Sequence, residues 1–232
     1  MIFMGDIKDF EKIIDVKFKD INILRQAFVH RSYLNEHTTF ELGHNERLEF
    51  LGDAVLELVI TEYLYKNFDN PEGDLTNWRA SLVNAKMLGG IAKNLGFDDF
   101  LLLSKGESKD KSTKARWYIL ANAMESVIGA IYLDQGWEVI SNFIHRFIVV
   151  RLSEILENNA YIDSKSRFQE SAQEKTGITP SYKVLKEWGP DHDKNFIVGV
   201  FLDKEQIAEG TGTSKQEAQT EAAENALKLK GW

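Results

Sequence analysis

Three acidic residues, Glu46, Glu49 and Asp53, are spaced so that they share one face of a helix. At about 100° per residue, Glu49 lies about 60° and Asp53 about 20° from Glu46 around the helix axis. Buried carboxylates need cations, and no Lys or Arg shares this face. The spacing therefore indicates a site for a hard metal ion with oxygen ligands, the alternative being a solvated acidic face.

The apolar residues around these acids predict how the helix packs. Apart from the narrow acidic stripe the segment is apolar nearly all round, which is typical of a largely buried helix. We expect Phe50 and Leu56 to flank the acidic stripe on its two sides. We expect the opposite face to be formed by Leu48, Leu51, Val55, Leu58 and Val59.

The composition indicates a folded protein. The 232 residues are 43% hydrophobic and 11% aromatic, which is enough to bury a core. The absence of cysteine excludes disulfides and a thiol nucleophile and suits a reducing compartment. The chain begins without the pattern of a secretory signal, and no apolar stretch is long enough to cross a membrane. We therefore expect a cytoplasmic protein with no membrane partner.

The net charge of −8 does not by itself suggest a nucleic-acid partner. Phosphate contacts favour a basic surface, whereas residues 1–159 and residues 160–232 each carry more acidic than basic side chains. Acidity in the first part fits an enzyme that gathers carboxylates around a metal. Acidity in the second part counts against tight RNA binding.

Hydrophobic periodicity divides the chain into two parts joined by a short linker. Residues 1–156 read as helices, residues 157–163 as the linker, and residues 164–232 as an α-β-β-β-α unit. The predicted helices of the first part cover Ile21–Tyr33, Asn45–Phe68, Leu75–Leu95, Trp117–Leu133 and Trp137–Leu156. The second part is predicted as helix Ser164–Thr176, strands Tyr182–Trp188, Asn195–Leu202 and Gln206–Thr213, and helix Ser214–Lys230. Ser214 and Glu217 have the spacing of a helix-capping box.

The segment that directly follows Asn45 resembles the signature of the ribonuclease III family. It reads Glu-Arg-Leu-Glu-Phe-Leu-Gly-Asp-Ala-Val-Leu. The segments Glu72–Asn84 and Leu120–Asp134 resemble two further motifs of that family, and the resemblance covers almost the whole chain. It implies an all-α endonuclease domain followed by a small double-stranded-RNA-binding domain. The implied activity is hydrolysis of phosphodiester bonds in double-stranded RNA, giving 5′-phosphate and 3′-hydroxyl ends, with roles in rRNA and mRNA processing.

The resemblance also assigns the site. It implies metal ligation by four residues, of which Asp53 and Glu125 are also catalytic, with Mg²⁺ as the cofactor and Mn²⁺ as a possible substitute. The four implied ligands are Glu49, Asp53, Asn122 and Glu125. It further implies supporting roles for Glu46 and Glu72, and a homodimer in which the signature helix lies at a two-fold interface and each subunit cuts one strand.

One residue departs from the family pattern inside this set. The family usually has Asp where this chain has Asn122. An amide oxygen can still bind Mg²⁺, but it brings no charge and cannot act as a base. The departure leaves open a double-stranded-RNA-binding protein that no longer cuts. The acidic charge leaves open a structural or ribosome-associated dimer.

The second part carries the residues that the resemblance implies for binding double-stranded RNA. These are Gln169 and Glu170 on a helix, His192 in a loop between strands, and Ser214 and Lys215 at the start of the last helix. A helix N-terminus favours phosphate. The family usually has two or three adjacent Lys or Arg after the Ser, and this chain has one, so a degenerate domain kept for packing is the alternative.

No nucleotide cofactor is expected. The glycine-containing segment before Lys215 lacks the spacing of a phosphate-binding loop.

Overall fold

The chain forms two compact units, residues 1–161 and residues 162–232. The predicted linker at 157–163 falls almost entirely outside the described part of the chain, and the predicted domain boundaries stay predictions. The computed structural model describes residues 5–109, 114–157, 164–190 and 194–232.

Among the described residues of the first unit, the regular elements are helices joined by loops, and one parallel β-bridge links Val29 and Leu102. This confirms the predicted all-α class of the first part of the chain. Its α-helices are α1 (Ile7–Ile14), α2 (Ile21–Ala27), α3 (Arg31–Glu36), α4 (Glu46–Asn67), α5 (Glu72–Val83), α6 (Ala85–Asn94), α7 (Lys105–Lys109), α8 (Lys114–Gln135), α9 (Trp137–Phe147) and α10 (Leu152–Glu157). Two 3-10 helices cover Phe97–Asp99 and Val149–Arg151.

Some long predicted helices are interrupted. The predicted helix Leu75–Leu95 is divided at Asn84, where an extended backbone separates α5 from α6. The Asn84 side chain accepts a hydrogen bond from the Met87 amide at 3.0 Å and so caps α6. The predicted helix Trp137–Leu156 is likewise divided by a 3-10 turn. A break of this kind interrupts the backbone without interrupting the apolar pattern, so periodicity alone did not reveal it.

The buried face of α4 differs from the predicted one. Leu56, expected at the edge of the acidic stripe, is fully buried, whereas Leu58, expected on the buried face, is 57% exposed. Phe50 is 82% exposed. The helix therefore packs with the side that holds Val55, Leu56 and Val59 against its neighbours, and one apolar side points outward.

The second unit confirms the predicted α-β-β-β-α order. Helix α11 (Ser164–Thr176) precedes strands β1 (Ser181–Trp188), β2 (Asn195–Leu202) and β3 (Glu205–Gly212), and helix α12 (Lys215–Lys230) follows them. The strands form an antiparallel sheet in the order β1-β2-β3. Its core is built by Phe168, Ala172, Val200, Leu202, Ala208, Ala222, Ala223, Ala226 and Leu227. Small alanines on α12 allow that helix to pack closely on the sheet.

Helix α12 begins at the predicted cap. The Ser214 side chain accepts a hydrogen bond from the Glu217 amide at 3.2 Å. The Glu217 carboxylate accepts in return from the Thr213 amide at 3.0 Å and from the Thr213 hydroxyl at 2.6 Å. In a capping box the carboxylate bonds the N-cap amide itself, so the structure has the same reciprocal arrangement displaced by one residue.

Candidate active site

Two glycines bring the acidic helices together. A Cβ added to Gly52 of α4 would lie 1.7 Å from the Glu125 carbonyl oxygen of α8. A Cβ added to Gly129 of α8 would lie 2.3 Å from the Leu48 carbonyl oxygen. Only residues without a side chain allow so close an approach. The backbone of Glu125 therefore packs directly against the turn of α4 between Glu49 and Asp53.

The carboxylates at this crossing repel one another. Burial, together with the charges of Asp53 and Glu49, raises the pKa of Glu125 to about 8. Burial also raises the pKa of Glu49, with added repulsion from Glu46 and Asp53. Among the described residues, no Lys, Arg or His forms an ion pair with Glu49, Asp53 or Glu125. The site thus brings Glu49, Asp53 and Glu125 together without an ion-pair partner for them in the described part of the chain.

Asn122 takes part in this cluster through its amide. It makes a hydrogen bond to the Glu49 side chain that lowers the pKa of Glu49, against the larger effect of burial. A bond that favours the ionised carboxylate is donated by the Asn122 N–H group. The amide oxygen of Asn122 is then left as an acceptor, which is the atom that a hard cation would bind.

The donor set fits a divalent cation. Three carboxylates and one amide oxygen are the ligand types that Mg²⁺ takes in proteins, and a cation would relieve the repulsion that raises the pKa of Glu49 and Glu125. In the described part of the chain, no three His, Asp or Glu side chains are already arranged to hold an ion. The carboxylates would therefore have to turn toward a common point when they bind one.

An open pocket of about 580 Å³ adjoins the cluster. Glu46, Glu49 and Asn122 line it, together with His30 and Glu107. Glu107 is not among the residues that the sequence predicts for the site. It lies in a Lys-rich segment that reads as a surface loop, and only the packing of the short helix α7 turns it toward the pocket. The sequence offers no local signal for this placement.

The supporting residues are placed differently from each other. Glu46 lies 3.6 Å from the Arg31 guanidinium and 3.7 Å from His44, at the exposed rim of the pocket. Glu72 is the first residue of α5 and is exposed. Within the described residues it makes no hydrogen bond or ion pair to the acidic cluster. The structure therefore groups Glu46 with the implied ligands and leaves Glu72 apart.

The residues implied for RNA binding are exposed where they are described. Gln169 and Glu170 project from α11, and Lys215 is the first residue of α12, beside the Ser214 cap. The Lys215 ammonium lies over the Phe196 ring, 5.8 Å from its centroid. His192 lies outside the described residues. No helix of the described chain is both long and apolar enough to cross a membrane.

Comparison with known proteins assigns the two units. Residues 20–152 match the Ribonuclease-III-like family, and residues 164–230 match the double-stranded RNA binding motif. Ribonuclease 3 of Streptococcus gordonii is 43% identical over 211 residues, which cover 90% of each chain. Ribonuclease 3 of Oceanobacillus iheyensis is 41% identical over 223 residues, which cover 96% of this chain and 97% of that one.

A solved structure agrees with these relatives. The nuclease domain of ribonuclease III from Campylobacter jejuni superposes with a TM-score of 0.54 at 39% identity, covering 69% of this chain and all of that domain. Both halves of the sequence, and their order, are thus matched by relatives of the same kind. On this evidence, the chain belongs to the ribonuclease III family.

Proposed function

We propose that this protein is an endoribonuclease that cleaves double-stranded RNA with the help of Mg²⁺. The observation that carries the proposal is the uncompensated carboxylate cluster where α4 crosses α8, in a chain that also has a double-stranded RNA binding motif. Each named relative is a Ribonuclease 3, and the similarity covers at least 90% of both chains.

The chemistry follows from the residues at the crossing. Glu49, Asp53, Asn122 and Glu125 would hold the metal, with Mn²⁺ as a possible substitute, and Asp53 and Glu125 are the proposed catalytic residues. Bound Mg²⁺ supplies an activated water and neutralises charge on the phosphate. The high pKa of Glu125 means that its proton must leave before the carboxylate can serve as a ligand. The proposed products carry 5′-phosphate and 3′-hydroxyl ends.

The outward side of α4 supports a homodimer. Phe50, Leu58 and Tyr65 are 82%, 57% and 80% exposed, and they fall within about 80° of each other around the helix. Large apolar side chains in one exposed row mark a contact surface. A two-fold axis across α4 would pair the row with its copy. Each subunit would then cut one strand of the duplex.

The second unit supplies the duplex contacts in this proposal. Gln169 and Glu170 would hydrogen-bond 2′-hydroxyls, and the free amides at the Ser214 cap together with Lys215 would contact phosphate, because A-form RNA is recognised through its shape, 2′-hydroxyls and phosphates. His192 completes the proposed set. We place the activity in the cytoplasm, in the processing of rRNA and mRNA.

A cleavage assay on long double-stranded RNA with Mg²⁺ tests the proposal. We expect cutting by the native protein, and a loss of more than about a hundredfold for Asp53→Ala or Glu125→Ala, with RNA binding retained. The control is Glu57→Ala, which changes an acid of α4 that pairs with Arg79 and is not among the proposed ligands. Binding without cutting would move the protein to the non-cleaving alternative that Asn122 leaves open.

A further inference from the structure

Both helices of the second unit pack against the same face of its sheet, so within the described residues of that unit the other face carries no helix. The side chains of Phe196, Val198, Val200 and Leu202 alternate along β2 and are buried on the helix side. The residues between them must point the other way. Their partners on β1 share that direction, since Lys183 pairs with Gly199, Lys186 with Ile197 and Trp188 with Asn195. On β1 and β2 the outer face is formed by Lys183, Leu185, Lys186, Trp188, Ile197 and Phe201, and on β3 it includes Gln206, which pairs with Phe201, and Glu209, which pairs with Gly199.

An irregularity in β1 enlarges this outer face. The register shifts between Val184 and Lys186, which inserts Leu185 as an extra residue. A Cβ on Gly199 would lie 3.0 Å from the Leu185 Cδ1 atom and 2.9 Å from the Phe201 Cε2 atom. Leu185 and Phe201 therefore close over the bare backbone of Gly199 and form one apolar surface.

Two lysines on the outer face lie over aromatic rings. The Lys183 ammonium is 5.0 Å from the centroid of the Phe201 ring, and the Lys186 ammonium is 5.6 Å from that of Trp188. Within the described residues, neither lysine has a carboxylate partner. Their charges are thus available to an anion, in a protein whose net charge is −8.

The rings are also accessible. Trp188 is 43% and Leu185 is 44% exposed, and Phe201 is half-buried. Phe201 lies six residues along β2 from Asn195, the partner of Trp188, which is about 20 Å at 3.4 Å per residue. A ligand that touched both rings would be extended and several nucleotides long.

Aromatic rings interleaved with cations are the chemistry that binds single-stranded nucleic acid, because bases stack on the rings while phosphates meet the cations. A duplex cannot use such a surface in the same way, since its bases are already stacked on each other. We propose that the outer face binds single-stranded RNA, with bases on Trp188 and Phe201 and phosphates on Lys183 and Lys186. This site goes beyond the proposed function and lies across the sheet from α12, which carries the proposed duplex contacts.

The test uses the full chain in EDTA with a fluorescently labelled twelve-nucleotide oligouridylate, which forms no duplex. We expect Trp188→Ala to weaken binding of this probe roughly five- to a hundredfold and Trp188→Phe to retain most of it. Two phosphate contacts predict a slope of about −1.4 for log affinity against log salt. Lys183→Gln with Lys186→Gln should bring the slope close to zero.

A blunt-ended RNA duplex serves as the matched control. The Trp188→Ala variant should bind the duplex with unchanged affinity, which also shows that the unit is folded. The Lys215→Ala variant should bind the duplex more weakly and the oligouridylate with unchanged affinity. Saturating duplex should not displace the oligouridylate. Two results would overturn the proposal by assigning both RNAs to one surface. One is displacement of the oligouridylate by the duplex, and the other is an equal loss of affinity for both RNAs in Lys215→Ala.

Two further outcomes also overturn it. One is the absence of oligouridylate binding by the native protein. The other is a change of oligomeric state in Trp188→Ala, which would make the outer face a contact between copies of the chain. Failure of cleavage or of duplex binding in the native protein would count against the proposed function and leave this site standing, because the two probes are measured separately.

Discussion

In both units an uncharged amide stands where the family pattern has a charge, but the two surroundings differ. Asn122 lies in the half-buried cluster between α4 and α8 and bonds Glu49, whereas Gln216 is exposed on the first turn of α12. Charges interact strongly where water is excluded and weakly where solvent and salt screen them. The same kind of replacement is therefore expected to matter more in the nuclease unit than in the RNA-binding unit.

The largest effect should come from separating α4 and α8. Gly52→Ala places a methyl group 1.7 Å from the Glu125 carbonyl oxygen, so the helices must move apart. We expect the first unit to lose about 1–3 kcal/mol of stability or more, together with cleavage, because the ligands no longer meet. Thermal unfolding and the cleavage assay measure both effects.

A matched glycine in the same unit is the control. Gly90 lies within α6, and a Cβ there would meet only ordinary contact with Trp117 at 3.7 Å. Gly90→Ala should be neutral or stabilise by up to about 1 kcal/mol. Equal behaviour of the two variants would contradict the close crossing as the basis of the site.

The second effect concerns Asn122 itself. Asn122→Asp adds a fourth carboxylate and removes the N–H donor to Glu49. We expect the Mg²⁺ concentration for half-maximal cutting to fall by roughly tenfold, and Mn²⁺ to support the native protein better than Mg²⁺ does. Metal titrations of the cleavage rate for both proteins give the comparison. An unchanged titration would show that residue 122 does not contact the metal.

The third effect is a pH dependence of stability without metal. Glu125 has a pKa of about 8 in the folded protein, against an ordinary value of 4.5. Its protonated form favours the folded state, so this contribution is complete below pH 4.5 and is lost as pH rises through 8. The melting temperature in EDTA should fall over this range, and Mg²⁺ should restore it. A similar fall in Glu125→Gln would show that another group is responsible.

The smallest effect is expected at the exposed start of α12. Lys215→Ala should reduce the slope of log duplex affinity against log salt by roughly one, and Gln216→Lys should increase it by about the same amount. Filter binding over a range of salt concentrations measures both slopes. A duplex affinity that does not change with salt concentration or with either substitution would exclude this helix start as a phosphate contact.

Much of the architecture could be predicted because it depends on neighbours in the sequence. Helix periodicity identified α4 and α8, strand alternation identified β1 and β2, and Ser214 was recognisable as a cap from the residue three positions later. The motif around Asp53 indicated both the family and the acidic stripe. These patterns are local, because each involves residues within one or two helical turns or a few strand positions of each other.

Contacts between distant segments could not be predicted from local patterns. Three features depend on such contacts. They are the approach of Gly52 to Glu125, the burial of Leu56 with the exposure of Leu58, and the position of Glu107 at the pocket. The break at Asn84 was missed because the apolar pattern runs through it. The residues that can ligate, cap or pack are recognisable from the sequence. Which of them meet depends on the close packing of whole helices, because side-chain volume and backbone approach are settled only when the elements are assembled.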